Sequence, residues 1–309
     1  MESNHYDVII IGGGPAGLTS GIYLSRAKTK TLILDQGTIG GQVVLTHEIA
    51  NYPGIESISG YQLAKTMRKQ AKKFGCDIRS NIKISSLELK GEIKKIVVND
   101  KDKYTAPVVI LSTGGKSRPL NVPGEIEFAG KGISYCATCD GDFFQDKEII
   151  VVGGGNSALE EAVSLTQYAS KVTIVHQFDH FQAYPHAIDE VKNNPKIDFI
   201  MESEITEFYG NESLQRVKIE HQGTHETNEM KIDGVFIFIG YIPQTKFIDD
   251  QVKLNERQEI IVDKDFQTNI EGVFAAGDSI EKKYRQITTA TADGTIAALN
   301  AIEYINSKK

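Results

Sequence analysis

The sequence predicts an α/β protein of two Rossmann-like dinucleotide-binding domains, each in three ββα layers, with the second inserted into the first. Three observations predict it. A strand, a glycine loop, a helix and a second strand run from Asp7 to Asp35. The same series returns in equal length, without a gap, from Glu148 to His176. A late stretch, Gly272 to Asp278 and then a helical run from Thr288 to Asn306, has no strand order of its own and returns to complete the first domain. The predicted domains are 1–116 with 245–309, and 117–244. A chain of 309 residues is long enough for two full cores.

The first copy opens on Tyr6-Asp7-Val8-Ile9-Ile10-Ile11, an apolar run of the kind a parallel sheet buries on both faces. Gly12-Gly13-Gly14-Pro15-Ala16-Gly17 follows, then a helix from Leu18 to Arg26 and a strand from Thr31 to Leu34 ending in Asp35. Gly12 permits the tight turn, Gly14 lets the backbone approach a pyrophosphate, and Gly17 lets helix and strand pack closely. The helix N-terminus faces the phosphate charge, and Asp35 can accept from a ribose hydroxyl.

Beyond it, Gly40-Gly41-Gln42 and Asn51-Tyr52-Pro53-Gly54 read as loop. Leu63, Met67 and Phe74 mark a helix from Tyr61 to Phe74, with Lys65, Arg68, Lys69, Lys72 and Lys73 as its wet, basic face. Ile82 to Val98 alternates as a β-ribbon, and Pro107 to Leu111 is a buried strand before Ser112-Thr113-Gly114-Gly115.

In the second copy Gly153 stands for Gly12, Gly155 for Gly14, Ala158 for Gly17 and His176 for Asp35. Nothing is expected to interrupt this domain before Gly240-Tyr241-Ile242-Pro243. Two such folds in one chain suggest electron transfer between two carriers.

Between the copies lies Cys136-Ala137-Thr138-Cys139-Asp140. Two cysteines with two residues between them form a redox pair, half of a metal site or simple packing. The only other cysteine is Cys76, so a zinc site lacks its remaining thiolates and a disulfide scaffold is excluded. His176, His180 and His186 bring no carboxylate or cysteine pattern that completes a site, so no metal is expected. The net charge of −7 disfavours nucleic acid and anionic membrane as partners. No apolar run spans a bilayer and no signal peptide is read, so a cytoplasmic protein is expected, where such a pair is more often catalytic.

These stretches together resemble the low-molecular-weight flavin thioredoxin reductases. Gly12–Gly17, Gly40-Gly41-Gln42, Asn51-Tyr52-Pro53-Gly54, Cys136 to Gly141, Gly153 to Ala158, Gly277-Asp278 and Arg285-Gln286 occur in that family's order and cover essentially the whole chain. The resemblance implies FAD in the first domain, a homodimer, and a cysteine pair that passes electrons from flavin to thioredoxin. It makes Cys139 the flavin-facing thiol, Cys136 the one that attacks thioredoxin, and Asp140 the general acid/base. Gly277 and Asp278 hold the ribityl and phosphate region, while Arg285 and Gln286 lie along the flavin. Gln42, Asn51 and Thr113 line the pocket, which Pro15, Ala16, Gln36, Gly41, Gly114 and Ile287 complete. A rotation of the second domain against the first is also implied, with hinges near Lys116–Pro119 and Gly240–Gln244, because one disulfide must meet both a flavin and a protein.

One stretch departs from the family. NADPH-dependent members carry His-Arg-Arg-x-x-x-Arg after the second strand of the second fold. Here it reads His176-Gln177-Phe178-Asp179-His180-Phe181-Gln182. A 2′-phosphate carries about two negative charges and favours guanidinium partners. Gln177, Phe178 and Gln182 supply none. NADH fares no better, because His176 stands where its acid is expected. The departure resembles ferredoxin-dependent flavin thioredoxin reductases. The expected donor is therefore reduced ferredoxin. The basic helix from Lys65 to Lys73 reads first as a solvated face; a patch that steers an acidic ferredoxin is the sharper alternative, and the net charge of −7 works against strong steering. An NAD(P)H-dependent reductase and a redox-sensing flavoprotein are the alternatives.

Overall fold

The computed structural model describes residues 4–46, 49–248 and 251–308. The chain forms two compact units, one of residues 1–116 and 242–309 and the other of residues 117–241.

In the first unit, five parallel strands lie in the order Val273–Ala275, Val108–Leu111, Val8–Ile11, Thr31–Leu34, Asp77–Arg79. Side chains alternate across a strand. Val8 and Ile10 therefore join the core under the Pro15–Arg26, Gly60–Lys73 and Ile287–Ser307 helices. Ile9 and Ile11 join a second core with Ile96, Val98 and Tyr104. That second core is covered by an antiparallel sheet of Ile84–Glu88, Lys94–Val98 and Asp102–Ala106. The ribbon read from Ile82 to Val98 thus has a third strand. Asp102–Ala106 gives little sequence signal because its outward side chains are polar.

The late strand pairs with Val108–Leu111, and the long helix packs in the first of these cores. Gly294 lets the long helix approach the first one, since a Cβ there would lie 3.0 Å from the Ala16 Cα. The basic helix is also present. Its buried stripe is Leu63, Ala64, Met67 and Ala71, and the five basic side chains are exposed. Phe74 is not part of that stripe. It is the C-cap, 38% exposed, with the Arg26 guanidinium 5.4 Å from its ring centroid.

The second unit repeats the plan. Its parallel strands run Ile197–Ile200, Lys171–Val175, Glu148–Val152, Gly234–Ile237, Ile133–Ser134. Ile149 and Val151 face the Asn156–Leu165 helix, while Ile150 and Val152 face an antiparallel sheet. That sheet, Ser203–Gly210, Leu214–His221 and Thr227–Lys231, interrupts the stretch expected to run unbroken to Gly240. It is the second copy's counterpart of the first unit's antiparallel layer.

Among the described residues no helix is long and apolar enough to cross a membrane.

Candidate active site

Cys136 and Cys139 are joined by a disulfide, their Cα atoms 5.3 Å apart. The short Ala137–Asp140 helix sets this spacing, with Cys136 as its N-cap, and Asp140 N donates to Cys136 O at 3.2 Å. Both cysteines are half-buried. Asp140 follows directly, and burial pushes its carboxyl above the usual carboxylate range. A hydrogen bond from Ser134 opposes that rise, and the Asp142 charge adds to it. Ser134 Oγ lies 2.5 Å from Asp140 Oδ2 and also accepts from Cys136 N at 3.1 Å.

Two supports of this segment carry no sequence motif. Ser134 sits on the two-residue edge strand, with nothing in the pattern to single it out. Glu125 is buried and accepts from Leu120 N at 2.9 Å, Asn121 N at 2.6 Å and Tyr135 Oη at 2.7 Å. It fastens the chain on both sides of the turn that leads into Cys136. Cys76 is remote in sequence and inert in character, its thiol pushed up to about 12 by burial.

The first unit gathers the glycine loop, Asp35 and the late segment. Gly12 has φ +105°, and a Cβ on it would lie 2.6 Å from the Ser112 carbonyl carbon. Gly13 N donates to Asp35 Oδ2 at 2.5 Å, and Gly37 N to Oδ1 at 2.7 Å. Gly40 N donates to Gly13 O at 2.8 Å, which brings Gly41 over Gly14. A Cβ on Gly41 would fall 3.2 Å from Gly14 Cα, so two bare glycines face each other.

Pro15 begins the helix, whose Ala16 Cβ lies under Gly277. Gly277 N donates to Asp293 at 3.2 Å, and Lys282 pairs with Asp293. Arg285 pairs with Glu259 and donates from Nε to Asp278 O at 3.4 Å. Burial pushes the Asp278 carboxyl up, against the pull of Lys282 and Arg285. Gln286 caps the helix that starts at Ile287, and Asn51 Nδ2 reaches its Oε1 at 3.5 Å. Gly114 has φ +62° and accepts from Gln244 N at 2.9 Å. Gln42 is exposed on its turn, and exposed Gln36 accepts from Ile84 N at 3.3 Å.

A dinucleotide's pyrophosphate needs a backbone it can approach and a helix N-terminus. The facing glycines and the Pro15–Arg26 helix supply both. Thr113 Oγ1 is buried with no hydrogen-bond partner among the described residues, a polar group waiting for a ligand. These residues fit FAD.

The second unit keeps the loop and changes its lining. Gly153 has φ +133°, with Phe238 where Ser112 stands in the first copy. Gln182 N donates to Gly154 O at 2.8 Å, the counterpart of the Gly40 bond, and Tyr184 N donates to Asn156 Oδ1 at 2.7 Å. In place of Asp35 the His176 ring lies over Gly154, so a Cβ there would fall 2.5 Å from Cδ2. His176 is buried and its Nε2 has no hydrogen-bond partner among the described residues. Burial pushes the imidazole down, against a hydrogen bond with the His180 backbone, so the ring stays neutral at pH 7. Around it stand Phe178 at 5.4 Å and Phe181 at 5.9 Å between ring centroids. Asp179 pairs with His180 at 2.6 Å, off any helix.

Paired nucleotide folds, a glycine cradle suited to FAD and a two-residue-spaced disulfide define a flavin-dependent disulfide oxidoreductase. The chain belongs to the pyridine nucleotide-disulphide oxidoreductase family, whose model matches residues 6–294. FAD is the cofactor that this membership carries. The chain is similar to a thioredoxin reductase of Peptoclostridium acidaminophilum, 44% identical over 98% of each chain. It is also similar to a 34.2 kDa protein in the rubredoxin operon of Clostridium pasteurianum, 43% identical over 99% of each. A crystal structure of thioredoxin reductase from Streptococcus pyogenes superposes with a TM-score of 0.95 at 41% identity, covering 99% of this chain and 100% of that one.

Proposed function

We propose that the protein is a thioredoxin reductase whose FAD is reduced by ferredoxin rather than by NADPH. The observation that carries the donor assignment is the His176 ring over Gly154 in a loop flanked by Gln177, Phe178 and Gln182. Gln177, Phe178 and Gln182 offer a 2′-phosphate no guanidinium, and Asp179 in the same stretch adds a negative charge.

On this reading Gly12, Gly14, Pro15, Ala16, Gly17 and Asp35 hold the adenosine diphosphate half of FAD. Gly277, Asp278, Arg285, Gln286 and Ile287 hold the rest, with Thr113, Gly114, Asn51, Gly41, Gln42 and Gln36 around it. Bound FAD supplies the two electrons that open the disulfide, and two protons complete two thiols. Cys139 would be the thiol that receives the flavin's electrons. Asp140 takes the Cys136 thiol proton, and the thiolate attacks a sulfur of oxidised thioredoxin. That disulfide breaks, and its released sulfur takes the proton back from Asp140. The Cys139 thiolate then attacks Cys136 Sγ, the enzyme disulfide re-forms, and the second thioredoxin sulfur leaves as thiolate and takes up the Cys139 proton. Thioredoxin has gained two electrons and two protons. The enzyme works as a cytoplasmic homodimer.

A second reading, a pyridine nucleotide donor, is favoured by the family name and by the glycine loop that the second unit retains. Anaerobic addition of NADPH, NADH and reduced ferredoxin in turn separates the two. Ferredoxin bleaches the flavin if the proposal holds. Rapid bleaching by stoichiometric NADPH sinks it. Bleaching by ferredoxin with no reduction of thioredoxin favours a sensor instead.

A further inference from the structure

We infer that Ser134 is a positioning residue for the exchange chemistry, its single hydroxyl holding the Asp140 carboxyl to the Cys136 end of the pair. The inference deepens the proposed function and rests on Asp140 being its acid/base.

Ser134 is 4% exposed, so its hydroxyl has no water to fall back on. Around Oγ lie Asp140 Oδ2 at 2.5 Å, Cys136 O at 3.3 Å and Cys136 N at 3.1 Å. The amide can only donate, so one lone pair of Oγ is taken by Cys136 N. The hydroxyl then has one proton and two acceptors, Asp140 Oδ2 and Cys136 O. When Asp140 is ionised, that proton belongs to the carboxylate, the stronger and nearer acceptor. When Asp140 takes the Cys136 proton, Oδ2 can itself donate to Oγ, and the serine proton turns to Cys136 O. Ser134 therefore serves both protonation states without moving an atom heavier than hydrogen. It also ties the carboxyl to the backbone of the residue whose sulfur exchanges.

A purely structural serine would hold the turn and leave proton chemistry alone. The difference is visible in a pH profile. A hydroxyl that donates to the carboxylate makes ionisation easier. Its removal leaves the buried carboxyl harder to ionise, and any rate that needs ionised Asp140 moves to higher pH.

The test uses full-length FAD-loaded enzyme, reduced with dithionite and desalted anaerobically. It is mixed in a stopped flow with dithiodipyridine, whose thiopyridone release reports exchange without thioredoxin or any donor. For S134A the acid limb of the rate should move up by about one pH unit, the size expected for one hydrogen bond to a charged group. S134G, which removes the hydroxyl without adding a thiol, should move it the same way, and S134T should return it toward wild type. D140N should abolish the limb. Flavin content and circular dichroism show which variants are folded. Superimposed profiles for wild type and either S134A or S134G overturn the inference, as does a D140N enzyme that keeps the limb. Oxidised thioredoxin in place of the reagent tests the parent reading separately. A shifted reagent profile with no thioredoxin reduction sinks the thioredoxin assignment and leaves Ser134 in place.

Discussion

The His176 ring covers Gly154 so closely that a Cβ on the glycine would fall 2.5 Å from its Cδ2. In the first copy the matching pair, Asp35 and Gly13, is a carboxylate accepting a backbone amide at 2.5 Å. One fold thus carries two different linings at the same place. The first can accept from a ribose hydroxyl; the second is a buried neutral ring.

G154A should therefore destabilise the second unit by about 1–3 kcal/mol, as overpacking does. H176A leaves a cavity, and the double variant should cost less than the sum. Urea unfolding of the four proteins gives the coupling, expected at about 0.5–3 kcal/mol. Additivity would mean that the ring and the glycine do not share this space.

Arginines at the changed positions should install the missing recognition. Q177R/F178R/Q182R together should let NADPH bleach the flavin, where the parent does not respond. Each charge-assisted contact is expected to strengthen binding by about tenfold or more. A triple variant as unresponsive as its parent would place the obstacle at His176 itself.

G41A should lower FAD content. The position has φ +61°, and the new methyl would enter the gap before Gly14. The flavin-to-protein ratio after purification measures it, and full loading would remove Gly41 from the cofactor cradle.

Asp140 should cost the fold stability at neutral pH. Its folded carboxyl is raised above the unfolded one, mainly by burial. The ionised form is therefore the penalised one. Stability is greatest below the unfolded value of about 3.9 and is lost as pH rises through the raised folded value. D140N should melt higher than wild type at pH 7, with the gap closing in acid, while its disulfide exchange slows by about 10²-fold or more. A melting difference independent of pH would contradict the assignment.

Much of this was legible in the sequence, for physical reasons. Val8–Ile11 and Glu148–Val152 are nearly all apolar because parallel strands are buried on both faces. Gly12 and Gly153 are glycine because both have positive φ beside a carbonyl. The antiparallel layers were harder to read. Asp102–Ala106 and Thr227–Lys231 each have one wet face, and Thr227–Lys231 buries none of its residues fully. Ser134 and Glu125 were not legible at all. Their importance lies in what they bond across the turn around Cys136, and neither spacing nor periodicity records that. Phe74 misled because an aromatic at helical spacing looks like core; it ends the helix and meets Arg26 instead.

The exposed basic face of the Gly60–Lys73 helix should matter for the rate of electron entry. K69A/K72A/K73A should slow reduction by ferredoxin several-fold at low salt, with the difference fading at high ionic strength. Equal rates at low salt would remove this face from donor steering.

The most direct measurement counts electrons through the whole chain. Enzyme, oxidised thioredoxin and photoreduced ferredoxin are combined anaerobically, and thioredoxin thiols are counted against ferredoxin consumed, for wild type and for C136S and C139S. The account predicts about two thiols for every two ferredoxins oxidised with wild type, none with either variant, and none when NADPH replaces ferredoxin. Thiol formation driven equally well by NADPH, or undiminished in C136S, would contradict it.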